Sequence, residues 1–306
     1  MNMRKSVSSF TSLLFVAFAA FATDARLEAA FAQDGASDGV VLEIIPGHYR
    51  YENGTRVAGV VVTDEGALVL DGLSSPEMGR DVRAKVMEAT GQPVVYLVNS
   101  TFHNNYTRGN AAYTDIVSIG HELYREDLVA LMEDDGVSEE ERASRLPKVT
   151  YTDHMTIYLG GKEIQIIHIG PAHTRGDSIV YVPEDRIVYV SELVFYNRFP
   201  FYNTGHLGWI DAIDRILALD ADIFVPGQGP MTYDDPTESR EAMLAIRTIL
   251  ADARNGIQAQ IAQGATEEEA LQNFTLAQYA HLGGAFEEQS QVMLSRMYQE
   301  LTGTLE

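Results

Sequence analysis

Two polar turns, each following an apolar run, hold the side chains best suited to chemistry. The first follows Val94–Val98 and contains His103, Asn104, Asn105, Tyr106, Thr107 and Arg108, with Gly109 available for an unusual backbone angle. The second follows Glu163–His168 and reads GPAHTRGDS, carrying His173, before another strand-like run at Ser178–Val182. Groups at the end of a buried strand are held rigidly and still face solvent. Histidines ending two separate strands predict one shared site, in which the imidazoles take hydrogen-bond partners or a metal ion.

The elements that must position these turns come in two similar series. Val40–Ile45, Arg56–Thr63 and Ala67–Leu70 are strand-like, separated by Asn53-Gly54 and Glu65-Gly66 turns. Ser74 and Glu77 have capping-box spacing and Pro76 suits a first turn, predicting a helix to about Ala89 ahead of the Val94 strand. Ile116–Val117 reads as a short strand and Glu122–Met132 as a helix. Asp134–Ser144 reads as an acidic, solvated connection or frayed helix. The second series has hairpins at Met155–Ile169 and Ser178–Val190, an amphipathic helix at Trp209–Leu219, and a short strand at Asp222–Val225 running into Pro226-Gly227-Gln228-Gly229. Beyond Asp235 the pattern is helical, with Thr266–Glu269 as a helix start and Ile246, Ile249, Leu250, Ile257 and Ile261 as a packing face. Hairpins followed by helices, twice, predict an α/β layered fold with two sheets rather than a doubly wound parallel sheet.

Composition narrows the function. The 306-residue chain carries a formal charge of −22, which argues against nucleic acid as a partner, since phosphate binding needs clustered Lys and Arg. Cysteine is absent, so disulfides, thiolate ligands and a Cys nucleophile are excluded, and a metal would rest on His, Asp, Glu or neutral oxygens. There is no Gly-x-Ser-x-Gly elbow, phosphate-binding Gly-Lys loop or dinucleotide fingerprint.

Arg4 and Lys5 precede an apolar run, Phe10–Phe21, that is short for a membrane span. Residues 1–22 are read as a signal peptide, with cleavage as late as residue 32, and residues 23–39 as a polar leader. The expectation is an exported bacterial protein, periplasmic or secreted, with no stable membrane insertion once the signal is removed.

From about Val40 to Met231 the chain resembles the metallo-β-lactamase superfamily, in particular its glyoxalase-like and quinoprotein-relay-associated hydrolases. The resemblance rests on VTDEGALVLDG, QPVVYLVNSTFHNN with TRGN, IHIGPAHTRGDSIVYVPEDRIVYVSELVF and GWIDAIDRILALDADIFVPGQGP. It implies an αβ/βα four-layer sandwich over residues 40–233 with a metal site on the sandwich edge. Residues 234–306 are then a helical extension packed on that domain.

The ligand pattern implied by the resemblance is altered here. The family's His-x-His-x-Asp-His falls on Thr101, His103, Asn105 and Tyr106, and its later histidine on His173. The bridging aspartate falls on Glu192, and the last histidine on Gln228. Two close divalent ions need more carboxylate and imidazole than this set offers. The expectation is therefore at most one zinc ion, on His103, His173 and Glu192, in a hydrolase acting on an ester, thioester or lactam carbonyl of a small molecule. Asn105 and Tyr106 would donate to the developing oxyanion. The alternative is a metal-free, non-catalytic cleft in which Thr101, Asn105, Tyr106 and Gln228 satisfy one another and a small molecule or protein partner binds. His48, His121, His154, His168 and His281 are read as ordinary surface or core residues, His206 as a weak candidate at the mouth, and Trp209 as packing.

Overall fold

Alternating side chains decide how the strands stack. In Arg56–Thr63 (β3), Val60 faces one way and Val61 the other, and the same alternation separates Leu68 from Val69 and Leu97 from Val98. Val61, Leu68 and Val98 pack against Ile164, Ile166, Val180 and Ile187 of the second series, forming an inner core between two sheet faces. Val60, Val69 and Leu97 lie on the outer face with Val82 and Val86 of a helix. On the other side, Ile179, Val188 and Val190 meet Ile213, Ile216, Met243, Leu250 and Met293 of three further helices. Both faces of each sheet are thus covered, which is why these strands are apolar throughout. The result is the four-layer αβ/βα sandwich, with extra C-terminal helices on the second sheet.

This computed structural model describes residues 38–200, 205–229, 231, 236–283 and 285–305. The signal and most of the leader expected for residues 1–37 lie outside the described residues. The first series comprises β1 (Val40–Ile45), β2 (His48–Asn53), β3, β4 (Gly66–Leu70), β5 (Val94–Asn99), β6 (Val117–His121) and β7 (Val149–Tyr151). The second comprises β8 (His154–Leu159), β9 (Lys162–His168), β10 (Ser178–Val182), β11 (Ile187–Phe195) and β12 (Ile223–Gln228). Among the described residues, the two expected sheets are joined into one hydrogen-bonded path by one antiparallel strand pair, Arg56 opposite Gln228.

Helices α1 (Pro76–Thr90), α2 (Asn104–Thr107), α3 (Glu122–Asp134), α4 (Glu139–Arg145) and α5 (Leu207–Leu217) are followed by α6 (Pro236–Ala262), α7 (Glu267–Asn273) and α8 (Phe286–Thr302). Among the described residues no helix is long and apolar enough to cross a membrane. One local expectation needs correction. The N-cap of α1 is Ser75, whose side chain accepts from Met78 N, while Ser74 Oγ donates to the Asn105 carbonyl 3.2 Å away. Helix α1 therefore starts one residue late because Ser74 is engaged by the site loop. Of the two readings of 134–144, a connection or a frayed helix, the second describes its latter part: Ser138 caps α4, and the helix delivers Arg145 into the interior, where it is 2% exposed. Thr266 and Glu269 form the reciprocal capping box expected of the α7 start.

Candidate metal centre

The site lies where β5, β11 and β12 end together. After β5, Ser100 and its neighbours are tied to Asp71 at the end of β4: Ser100 N donates at 2.8 Å and Ser100 Oγ at 2.7 Å. Asp71 also accepts from Ser191 Oγ at 2.6 Å, so one buried carboxylate anchors the approach to both His103 and Glu192. Burial is the largest influence on Asp71 and, against its three donors, raises its pKa to about 7. Arg145 fixes the far side of the loop, donating to Asn104 Oδ1 at 2.5 Å and Thr107 Oγ1 at 2.9 Å. Neither Asp71 nor Arg145 was singled out in the sequence. Asp71 could have been suspected as an acid at the end of a buried run; Arg145 carries no local signal.

His173 comes from the turn after β9 and is 1% exposed. Asp177 holds that turn, accepting from Thr174 N at 2.6 Å and from the Thr174 hydroxyl. Its pKa too is raised to about 7, chiefly by burial. The Trp209 ring meets His173 edge-on with centroids 4.9 Å apart, and its Nε1 donates to Leu193 O at 3.2 Å. Trp209 is packing, as expected, and it packs on a candidate ligand.

Glu192 owes its aim to a backbone irregularity. Ser191 has φ 45°, in the left-handed region, and the β11–β12 register shifts on both sides of it. Gly227 of β12 permits the close approach, since a Cβ there would lie 2.7 Å from the Ser191 carbonyl carbon.

These turns bring the three predicted ligands together. His103 Nδ1 lies 2.6 Å from Glu192 Oε2, His173 Nδ1 lies 3.8 Å from the same oxygen, and the rings of the two histidines are 5.0 Å apart at 85°. One ligand atom from each residue lies within 4.8 Å of the others. The longer Glu192 side chain thus reaches the histidine pair. The donor set is chemically suited to a divalent ion: two imidazoles and a carboxylate, the composition of many catalytic zinc sites. Burial would raise the Glu192 pKa, but the adjoining His103 and His173 outweigh it and hold the group below the usual carboxylate range. Its other oxygen faces amides, with Gln228 Nε2 at 3.2 Å and Asn105 Nδ2 at 3.4 Å. Gln228 Oε1 in turn accepts from Arg198 at 3.1 Å.

The remaining predicted positions fall unevenly. Asn105 is half-buried beside Glu192. Tyr106 is 0% exposed and donates to Gly227 O at 3.1 Å, with Gln228 and Glu192 beside its hydroxyl. Burial, then the neighbouring Glu192, pushes its pKa well above 10, so the phenol stays protonated. Thr101 is 1% exposed, and its Oγ1 has no hydrogen-bond partner among the described residues. The buried His206 ring lies beside Trp209, with centroids 6.3 Å apart, and does not join the three-residue cluster.

A family model described as the metallo-beta-lactamase superfamily matches residues 52–228, from β2 to the last site residue. The chain belongs to that superfamily. The superfamily is metal-dependent, and this member has a three-residue candidate metal site at His103, His173 and Glu192. It is 29% identical over 174 residues to 2,4-dinitroanisole O-demethylase subunit alpha of Nocardioides sp. (strain JS1661), a match covering 54% of this chain and 49% of the relative. With linear primary-alkylsulfatase of Pseudomonas sp. (strain ATCC 19151), identity is 22% over 274 residues, 74% of this chain and 50% of the relative. This superfamily member therefore spans about half the length of these curated relatives. A solved metallo-beta-lactamase from Pontibacter korlensis has the same fold, with TM-score 0.56 at 21% identity, covering 69% of this chain and 99% of that one.

Proposed function

We propose that the chain is a one-metal hydrolase of small molecules. The observation that carries the reading is the convergence of His103, His173 and an ionised Glu192, with one ligand atom from each within 4.8 Å of the others. A zinc ion held there supplies Lewis-acid polarisation and an acidified water. The substrate class is an ester, thioester or lactam carbonyl, and the alkylsulfatase relative adds sulfate esters.

The chain's own residues do the rest. Glu192 supplies the negative charge that a divalent ion requires, and the Trp209 and Phe195 rings wall in His173. The Asn105 amide, partly exposed beside Glu192, would donate to charge developing on the substrate. Tyr106 acts behind it, tying the site loop to β12 through Gly227 O. The Arg4-Lys5 pair and the apolar run Phe10–Phe21 support export to the periplasm or medium.

Zinc titration of chelated protein, followed by assays on nitrophenyl acetate, nitrophenyl sulfate and a chromogenic lactam, tests the reading. One equivalent and chelator-sensitive turnover of one of the three are expected. Uptake below about a tenth of an equivalent would overturn it.

A metal-free binding cleft is the second reading, favoured by the amides of Gln228 and Asn105 already placed on Glu192. A melting temperature indifferent to zinc and to chelator would favour it.

A further inference from the structure

Arg56 opposes Gln228 in the one strand pair that joins the two sheets among the described residues. Directly opposed residues of an antiparallel pair project from the same face. Gln228 reaches Glu192 from that face, so Arg56 is carried toward the same half of the pocket. Its side chain is 1% exposed, and its charge acts on both Glu192 and Tyr106. Glu192 is divided: Oε2 faces the two histidines, while Oε1 faces the neutral amides of Asn105 and Gln228.

Resting on the one-metal reading above, we propose that Arg56, buried where the half-buried Arg198 beside Gln228 is not, is the cation that restricts the amide-lined half of the cleft to a single divalent ion. A divalent ion beside Oε1 would sit close to a fixed positive charge in a region shielded from water, where repulsion is only weakly screened. Arginine suits this role because it cannot shed its proton to admit the ion. Arg56 is thus a positioning residue, and the property it controls is metal number.

Zinc stoichiometry and affinity, measured by elemental analysis and calorimetry on chelated and reloaded full-length protein, test the assignment. Asn105→Asp with Gln228→His adds two donors on the Oε1 side. With Arg56 retained, this variant should still hold one equivalent; with Arg56→Met added, it should hold two, and with Arg56→Lys, one. In the otherwise native chain, Arg56→Met should tighten the first zinc about tenfold, since one repulsive charge is removed. Should Arg56→Met lack a cooperative melt, the neutral Arg56→Gln carries the same expectations. Two equivalents with Arg56 in place, or one after its neutralisation in a folded variant, would overturn the assignment while leaving the one-metal reading intact. A wild-type chain that takes no zinc would remove both.

Discussion

Glu192 Oε2 lies 2.6 Å from His103 Nδ1, joining residues 89 positions apart. The contact makes each group a condition for the other: the carboxylate stays ionised beside the imidazoles, and the imidazole is oriented by the carboxylate. Glu192→Gln keeps the shape and removes the charge. Zinc affinity is expected to fall by more than about a hundredfold, and the metal-free protein should also melt lower, because the buried carboxylate–imidazole contact is lost. Calorimetry paired with a thermal melt checks this, and an unchanged zinc isotherm would count against Glu192 as a ligand.

Arg145 supports the site loop from 41 residues beyond Asn104 and 38 beyond Thr107. Arg145→Leu leaves Asn104 Oδ1 and Thr107 Oγ1 without the donor they share. A cost of about 2–4 kcal/mol is expected, seen as a lower denaturation midpoint with an unchanged slope. Zinc affinity should fall as well, because His103 precedes the loosened α2.

Asp71 sets one pH dependence. Its folded pKa of about 7 lies above the ordinary 3.8, so its contribution is fully present below the lower value and is lost as pH rises through the higher. Relative to Asp71→Asn, the wild type should lose about 2–3 kcal/mol of stability between pH 5 and pH 8. Urea melts at the two pH values measure the difference, and parallel melts would refute the assignment.

His168 works in the opposite direction. It stacks on His121 with centroids 3.7 Å apart at 9°, and burial, then the neighbouring His121, lowers its pKa to about 4. His168 Nδ1 donates to Asp177 O, while His121 Nε2 donates to Thr152 O and its Nδ1 accepts from Leu123 N. The stabilisation is present above pH 6.5 and is lost as pH falls through about 4. His168→Gln should flatten the acid limb of the stability profile over that window, read from melts at pH 6.5 and pH 4.5.

Much of this was written locally. The two-residue alternation that separates Val60 from Val61 defines the layers, because a strand covered on one face by a sheet and on the other by helices must be apolar on both. His103 and His173 were legible because each ends an apolar run in a polar turn. The Ser74 and Glu77 capping reading was displaced by one residue, because Ser74 answers to the Asn105 carbonyl rather than to its own helix.

What the tertiary structure decided is where those groups point and what stands behind them. Glu192 is aimed by a left-handed Ser191 and a glycine on the adjacent strand, a backbone state with no reliable signature in a serine. Tyr106 spends its proton on Gly227 O, Arg145 rises from an acidic stretch to hold the loop, and Arg56 faces Gln228 across the seam between sheets. Each of these depends on segments far apart in the chain whose side chains meet only after the sheets have packed. Local propensity determines the elements; the contacts that set charge and orientation at the site arise only from their assembly.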